Sequence, residues 1–265
     1  MGYTEIRDVD VWDGQVSTQV LIGGAGPPLL YLHAVLGLQW DPFLDALAAH
    51  HTVYAPYLPG TVPGGNPDAH KAIDDVWDLV LCYEEILDAL GIPEAAVVGH
   101  SFGGMLGAEL AATSPERVSK LVLLCPIGLW TDGRLFNNPH LLSLAELGAA
   151  AFADPTGPVA TAALTLPEDP AAMGEAIIAI TWAMGVASKF WWPIPDRGLH
   201  KRIHRITAPT LVVWGDQDKI ISPDYAADFG RLIRQCQVEV LSGAAHVPQL
   251  ERFDVVPSMV EKFLS

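Results

Sequence analysis

Short apolar runs alternate with amphipathic stretches along most of the chain. Runs such as PPLLYLHA (27–34) and AAVVGH (95–100) predict buried strands, because a parallel sheet is covered on both faces. The stretch AIDDVWDLVLCYEEILDALGI (72–92) has apolar residues at helical spacing and ends near Gly91, a residue typical of helix C-termini. Alternating positions on either side of Asp13-Gly14 predict a β-hairpin at the start of the chain.

The same alternation continues to the C-terminus and indicates the fold class. DPFLDALAAH (41–50) predicts a helix capped by Asp41, with Pro42 at its first position. Further strands are predicted at HTVYAPYLPG, VSKLVLLCPIG, PTLVVWG and QVEVLSG, and further helices at FGGMLGAELAATSP, PDYAADFGRLIRQC and VVPSMVEKFLS. Strands joined through helices favour a mostly parallel sheet covered on both faces. We therefore predict an α/β fold.

Residues 130–205 interrupt this rhythm. Two alanine-rich helical stretches, near 139–153 and 169–189, precede the aromatic cluster KFWWPIPDRG, and prolines mark the joints around them, at Pro155, Pro158, Pro167, Pro170, Pro193 and Pro195. The pattern predicts a helical cap inserted into the sheet domain. On this prediction residues 1–129 and 206–265 form the core domain, and residues 130–205 form the cap.

Composition and charge narrow the classes of partner that the protein is expected to bind. Half of the 265 residues are apolar, and the net charge of −16 argues against nucleic acid and anionic membranes. No uninterrupted apolar run approaches the roughly 18 residues of a membrane span. The N-terminal sequence MGYTEIRDVDVWDG lacks the basic start and apolar segment of a signal peptide. Three cysteines without a CxxC pair fit a reducing compartment, so we expect a cytoplasmic protein acting on a small molecule.

The segment VVGHSFGGM (97–105) places Ser101 between two glycines, each two positions away. An apolar run precedes the serine and a helix of small residues follows it, the strand–turn–helix setting of a nucleophile. A sharp turn leaves room only for small side chains at Gly99 and Gly103, and it points the hydroxyl over the carboxyl ends of the strands. The helix N-terminus beneath it favours a developing oxyanion. This setting predicts a nucleophilic serine rather than a plain glycine turn.

A serine hydroxyl needs a general base, and the base needs an acid to fix its tautomer. His246, in LSGAAHVPQLE, follows the last predicted strand and therefore lies at the same edge of the sheet. Asp218, in WGDQD, lies further into the preceding loop than Asp216, which is predicted to shape the turn; Asp132 is a more distant candidate. The chain order Ser101, Asp218, His246 is expected of one fold among those that use such a triad.

Three other histidines are weaker candidates for a catalytic or metal-binding role. His100 adjoins the serine in the chain and points away from its face, so it is not expected to act as the base. His200 and His204 are four residues apart and could share a helix face, but no third ligand stands beside them. We therefore predict no metal site.

Together these motifs resemble the α/β-hydrolase superfamily along nearly the whole chain. The matching segments are GHSFGG at the serine, WGDQD at the acid, GAAHVPQLE at the histidine, and YLHAVLG and APYLPG after two early strands. The resemblance implies a serine-nucleophile, esterase-like member with Ser101 as nucleophile, Asp218 as acid and His246 as base. Some relatives, such as haloalkane dehalogenases and epoxide hydrolases, have an aspartate nucleophile at this position. Because this chain has Ser101 there, these two activities are not predicted.

The resemblance also implies an oxyanion hole formed by the backbone N–H groups of Val35 and Phe102. Relatives usually carry His-Gly in the early loop, where this chain carries His33-Ala34. Because alanine resists positive φ, we expect this loop to turn differently and His33 to be structural.

The predicted chemistry is cleavage of carboxylic esters through an acyl-enzyme, which requires no metal or cofactor. We expect an apolar pocket between the sheet edge and the cap, with walls drawn from Trp130, Phe136, Trp182, Phe190, Trp191, Trp192 and Val247. A carbon–carbon bond hydrolase for vinylogous diketone acids remains open and would need a cap arginine such as Arg197. A perhydrolase side activity and a hydrolase-fold ligand receptor with slow turnover also remain open. An iminopeptidase would need an acidic subsite that the sequence does not reveal.

Overall fold

One eight-stranded sheet organises the residues that the computed structural model describes, 2–265. Its strands are β1 (Glu5–Val11), β2 (Val16–Gly23), β3 (Pro28–Leu32), β4 (Thr52–Pro56), β5 (Ala95–His100), β6 (Val118–Leu124), β7 (Thr210–Gly215) and β8 (Cys236–Leu241). Their order across the sheet is β1-β2-β4-β3-β5-β6-β7-β8. Strand β2 is antiparallel to both neighbours and the other pairs are parallel, so the predicted sheet is confirmed.

Helices connect the strands. They are α1 (Pro42–Ala48), α2 (Val76–Ala89), α3 (Phe102–Thr113), α4 (Leu144–Ala151), α5 (Pro158–Leu164), α6 (Pro170–Trp191), α7 (Leu199–Arg202), α8 (Asp224–Leu232), α9 (Pro248–Glu251) and α10 (Val256–Leu264). The predicted cap of α1 is present, because the Asp41 carboxylate accepts a hydrogen bond of 2.9 Å from Leu44 N. Gly91 follows α2 with φ +73°, a conformation that favours glycine.

Two apolar cores lie on opposite faces of the sheet. Helices α2, α3 and α8 pack on one face, and α1 and α10 pack on the other. Val97 belongs to the first core and its neighbour Val98 to the second, because successive side chains of a strand point to opposite faces. The central strands are therefore apolar over most of their length, and their carboxyl ends present the loops that carry the site.

Residues 130–205, which we call the inserted segment, separate β6 from β7 and carry α4 to α7. Helices α4 and α6 match the two predicted stretches. Pro158 and Pro170 are the first residues of α5 and α6, so each stands where a joint ends and a helix begins, a position at which a missing backbone N–H removes no helical hydrogen bond. Phe190, Trp191 and Leu199 are fully buried and join the segment to the larger core. Its description as a cap over a pocket stays a prediction.

Helix α6 has 22 residues and is long and apolar enough to cross a membrane by length and composition alone, and 17% of its apolar window is buried. This finding does not decide whether the helix meets a membrane, so the expectation of no membrane span stays a prediction. The buried part lies at the C-terminal end, where Val186 and Phe190 pack on the larger core.

Candidate active site

Ser101 occupies the corner between β5 and α3, as the sequence predicts. Its backbone has φ +55° and ψ −112°, a conformation that a residue with a side chain adopts only when the surrounding structure enforces it. The serine N–H donates to Leu124 O at 2.9 Å, and Met105 N donates back to Ser101 O at 3.1 Å. These two bonds fix the corner between β6 and the first turn of α3.

The two glycines flanking the serine are required by close backbone contacts. A Cβ at Gly99 would lie 2.3 Å from Gly103 O, and a Cβ at Gly103 would lie 2.0 Å from Leu32 O. Further along α3, a Cβ at Gly104 would lie 2.8 Å from a side-chain carbon of Pro126. The close backbone contacts predicted to require small residues at Gly99 and Gly103 are therefore present in the structure.

Ser101, His246 and Asp218 form a continuous hydrogen-bonded line. His246 Nε2 lies 3.0 Å from Ser101 Oγ, and His246 Nδ1 lies 2.8 Å from Asp218 Oδ2. A carboxylate only accepts hydrogen bonds, so the ring proton sits on Nδ1 and leaves Nε2 free to accept the serine proton. The structure thus brings together the three residues that the sequence singled out from three distant loops.

The Asp218 carboxylate is held by four N–H groups. Oδ1 accepts from the backbone N–H of Ile220 at 2.8 Å and of Ile221 at 3.0 Å, while Oδ2 accepts from His246 and from Trp214 Nε1 at 3.0 Å. Asp218 is 3% exposed, so these bonds replace its hydration. Sequence analysis missed Trp214, although the residue stands in the WGDQD motif that pointed to the acid.

The other two candidate acids lie elsewhere. Asp216 is exposed and accepts a hydrogen bond of 2.9 Å from Gly243 N, so it shapes the turn as expected. Asp132 is exposed and accepts from Trp130 Nε1 at 2.8 Å. Gly215 explains how the histidine loop reaches the site, because a Cβ there would lie 2.2 Å from Ala245 O.

His100 anchors the loop that carries His246. Its Nε2 donates to His246 O at 2.7 Å, and its Nδ1 accepts from Gln249 Nε2 at 3.3 Å. Burial, reinforced by the neighbouring His246 ring, lowers the pKa of His100 to about 3, so the ring is neutral at physiological pH. His100 is therefore not the base, as expected. Its contact with Gln249 joins loops distant in sequence, and no local pattern signals it.

The first predicted donor of the oxyanion hole, Phe102, lies at the start of α3, and its role as a donor stays a prediction. Phe102 is the first residue of α3, so its N–H has no intrahelical acceptor and lies at the positive end of the helix dipole. Its side chain is 1% exposed and packs in the larger core.

The second predicted donor, Val35, lies in a turn that Gly37 closes. Gly37, with φ +99°, supplies the positive φ and donates to Ala34 O at 3.3 Å. His33 is structural, because its Nδ1 donates to Ala34 O at 2.7 Å and its Nε2 accepts from Leu58 N at 3.2 Å. Burial lowers the pKa of His33 to about 4. The role of Val35 in an oxyanion hole stays a prediction.

The predicted pocket residues divide by burial. Phe190 is fully buried, and Trp130 and Val247 are partly buried. Trp182 and Trp192 are 42% and 45% exposed, and their place in a pocket wall stays a prediction. Trp182 attaches α6 to the loop after β4, since its Nε1 donates to Gly60 O at 2.7 Å. The remaining aromatic residues of the prediction pack edge to face, with ring centroids 5.8 Å apart between Phe136 and Trp191.

The serine site is enclosed in this arrangement. Ser101 is 4% exposed and His246 is 8% exposed. Clefts of about 580 Å³ between α8 and β8, and of about 430 Å³ beside α2, contain none of the three aligned residues. The hydrogen-bonded pair of Ser101 and His246 is therefore largely buried, and neither residue lines these two clefts.

Cys125 is a further buried neighbour of the acid. Its Sγ, a ring nitrogen of His246 and an oxygen of Asp218 lie within 4.8 Å of one another, a set of ligand types that metals bind. The site does not fit a resident cation, because both carboxylate oxygens already accept two N–H groups each. Burial and the nearby Asp218 charge raise the pKa of the Cys125 thiol, which disfavours the thiolate that a metal requires.

The chain belongs to the α/β-hydrolase family, whose sequence model matches residues 20–256. The match runs from β2 to α10 and includes Ser101, Asp218 and His246. The family resemblance and the fold class drawn from the motifs are therefore confirmed.

Curated relatives differ in their chemistry. The chain is 25% identical over 224 residues to a monoacylglycerol lipase of Xenopus laevis, covering 77% of this chain and 66% of that protein. It is 28% identical over 270 residues to the 2-hydroxymuconate semialdehyde hydrolase of a Pseudomonas species, covering 94% and 91%. The chain spans only 38% to 66% of the length of four of the curated relatives that it matches, and the lipase is one of these four.

Solved structures show the same fold. A bacterial membrane phospholipase A superimposes with a TM-score of 0.78 at 23% identity, covering 98% of this chain and 85% of that one. At such identity the likeness establishes the fold and not the substrate.

Proposed function

We propose that this protein is a serine hydrolase that cleaves carboxylic esters of small to medium apolar acyl or alcohol groups. The observation that supports the proposal most strongly is the buried hydrogen-bonded line from Ser101 through His246 to Asp218. Family membership and the similarity to a lipase add to it.

In the proposed mechanism His246 Nε2 accepts the hydroxyl proton as Ser101 Oγ attacks the acyl carbon. Asp218 holds the Nδ1–H tautomer and stabilises the imidazolium that forms. The N–H groups of Phe102 and Val35 stabilise the oxyanion of the tetrahedral intermediate. His246 then protonates the departing alcohol, leaving an acyl-enzyme. Water repeats the sequence on the acyl carbon, which releases the acid and restores the serine hydroxyl.

The positions of the lysine and arginine side chains in the inserted segment favour an uncharged substrate. Among the described residues of this segment, each lysine and arginine is exposed or ion-paired. Arg202 makes a two-pronged ion pair with Glu109, and Arg134 pairs with Asp228. Arg197, the arginine that a diketone acid would need, is exposed and contacts Trp192 O at 3.4 Å. A substrate carboxylate would therefore lack a cationic partner beside the enclosed serine.

A carbon–carbon bond hydrolase is the second candidate. The similarity to the Pseudomonas semialdehyde hydrolase favours it, because that match extends over nearly the full length of both chains. The same three residues would serve this reaction. A small-molecule substrate, the absence of nucleic acid and membrane partners, and a cytoplasmic location stay predictions.

Hydrolysis of a p-nitrophenyl ester series, from acetate to decanoate, tests the proposal. We expect the wild-type protein to show a chain-length optimum, and Ser101→Ala to lose turnover while its circular dichroism spectrum is unchanged. Turnover that survives in Ser101→Ala would contradict the mechanism.

The two alternative functions, a carbon–carbon bond hydrolase and a ligand receptor, predict different results in parallel assays. Cleavage of a dienoate substrate by a wild-type protein that leaves every ester intact would favour the carbon–carbon hydrolase. Ligand binding without turnover of either substrate would favour a receptor.

A further inference from the structure

The side chain of Trp214 reaches the acid from within the sheet. Trp214 lies on β7, four residues before Asp218, and is fully buried, with its ring 6.3 Å from Phe229 of α8. Its Nε1–H points to Asp218 Oδ2 at 3.0 Å and more distantly to Ile221 O at 3.4 Å. An indole offers a single donor and no acceptor, so this contact fixes the direction of the bond.

The same carboxylate oxygen serves both rings. Asp218 Oδ2 accepts from Trp214 Nε1 and from His246 Nδ1, while Oδ1 is occupied by two backbone N–H groups. The backbone donors hold one end of the carboxylate, and the indole holds the other end beneath the imidazole. Because the carboxylate is buried and its hydrogen bonds come from these four donors, the donors decide how much negative charge faces His246.

We propose that Trp214 is a positioning residue that acts on His246 through Asp218, a role that rests on the proposed function. The indole N–H aligns Oδ2 with His246 Nδ1 and takes up part of the carboxylate charge. Trp214 touches neither Ser101 nor a space where substrate would lie, since it is enclosed between β7 and α8.

Other ionisable groups surround the same pair. His100, whose ring centroid lies 5.3 Å from that of His246, faces it from the end of β5. Cys125 faces Asp218 from the end of β6, and Glu251 of α9 accepts from Ala245 N in the histidine loop at 2.8 Å. All three groups are retained in Trp214→Phe, so their electrostatic effect on His246 is the same in the wild type and in the variant.

Trp214→Phe removes the donor and keeps an apolar ring against Phe229. Without the indole, more of the Asp218 charge faces His246 and favours its imidazolium form. We expect the acidic limb of the pH profile of kcat/KM to move up by up to about one pH unit. We also expect kcat on the plateau to fall by about tenfold, less than the loss of a general base causes, with KM unchanged.

Trp40→Phe is the matched control. Trp40 Nε1 also donates to a carboxylate oxygen, of Asp45 at 2.9 Å, but this pair lies beside α1 on the opposite core. Loss of an indole–carboxylate bond there should leave the pH profile and kcat unchanged. If Trp214→Phe fails to fold, a benzothienyl-alanine at position 214 keeps the shape of the indole and replaces its N–H by sulfur.

Three variants, compared with the wild type in one ester assay, separate the possible outcomes. An inactive Ser101→Ala together with a shifted profile in the position-214 variant alone supports the proposal. A position-214 profile that superimposes on the wild type, or an equal shift in Trp40→Phe, overturns it while the proposed function stands. Activity that survives in Ser101→Ala overturns the proposed function, and this role of Trp214 with it.

Discussion

A methyl group added at Gly103 tests how finely the serine corner is set. In Gly103→Ala the new Cβ would lie 2.0 Å from Leu32 O, 2.3 Å from Leu32 C and 2.7 Å from His33 O. These are backbone atoms at the end of β3, and an ordinary contact needs about 3.5 Å. The structure must therefore open by about 1.5 Å, because no side-chain rotation can relieve the clash.

The opening falls between the two halves of the proposed oxyanion hole. Either the first turn of α3 moves with Ser101 and Phe102, or the end of β3 moves with the loop that holds Val35. A displacement of about 1 Å between catalytic groups can cost roughly 100-fold in rate. We expect kcat for a p-nitrophenyl ester to fall by about that factor, with a smaller change in KM.

Gly107→Ala is the matched control on the same helix. Its Cβ would meet two side-chain atoms, Val97 Cγ1 at 3.2 Å and Leu121 Cδ1 at 3.4 Å, which can shift slightly. Alanine also gains about 1 kcal/mol of helix propensity over glycine. We expect kcat within about twofold of the wild type. A fully active Gly103→Ala, or an equal loss in both folded variants, would refute the reasoning.

Two further predictions concern stability. Because burial lowers the pKa of His100 to about 3, the unfolded chain, whose histidines titrate near 6.5, takes up a proton first as the pH falls, and native stability is lost below about pH 6.5. His100→Gln should therefore lose about 2 kcal/mol less unfolding free energy than the wild type between pH 7.5 and pH 5 in urea titrations; equal losses would contradict this. Arg202→Met leaves the buried Glu109 carboxylate unpaired and should cost about 3 kcal/mol, measured by thermal unfolding. The double variant with Glu109→Met should recover most of that loss, and no recovery would contradict the argument.

The sheet and the three aligned residues could be predicted because their signals are local. Strand and helix periods appear within a few residues, and parallel strands bring their carboxyl ends to one edge. Ser101, Asp218 and His246 each follow such a strand, so their meeting follows from the topology without knowledge of the loops.

Features that depend on how loops pack could not be predicted in this way. The aromatic character of Trp182 indicated a place in the pocket wall, but it did not indicate that its indole N–H donates to Gly60 O in the loop after β4. The His100–Gln249 contact and the indole bond of Trp214 depend on side-chain directions that sequence spacing does not specify. The helix that begins at Pro158, α5, was not predicted, because a proline has the same local signal in a joint and in the first turn of a helix.

Covalent labelling by a fluorophosphonate tests the central claim, that Ser101 is an activated nucleophile, without requiring the natural substrate. The reagent reacts with a serine whose proton is taken by a base, and peptide mass spectrometry locates the adduct. We expect one adduct, on Ser101, formed by the wild type and lost in His246→Ala. A folded wild-type protein that remains unlabelled, or that is labelled at another residue, would contradict the claim.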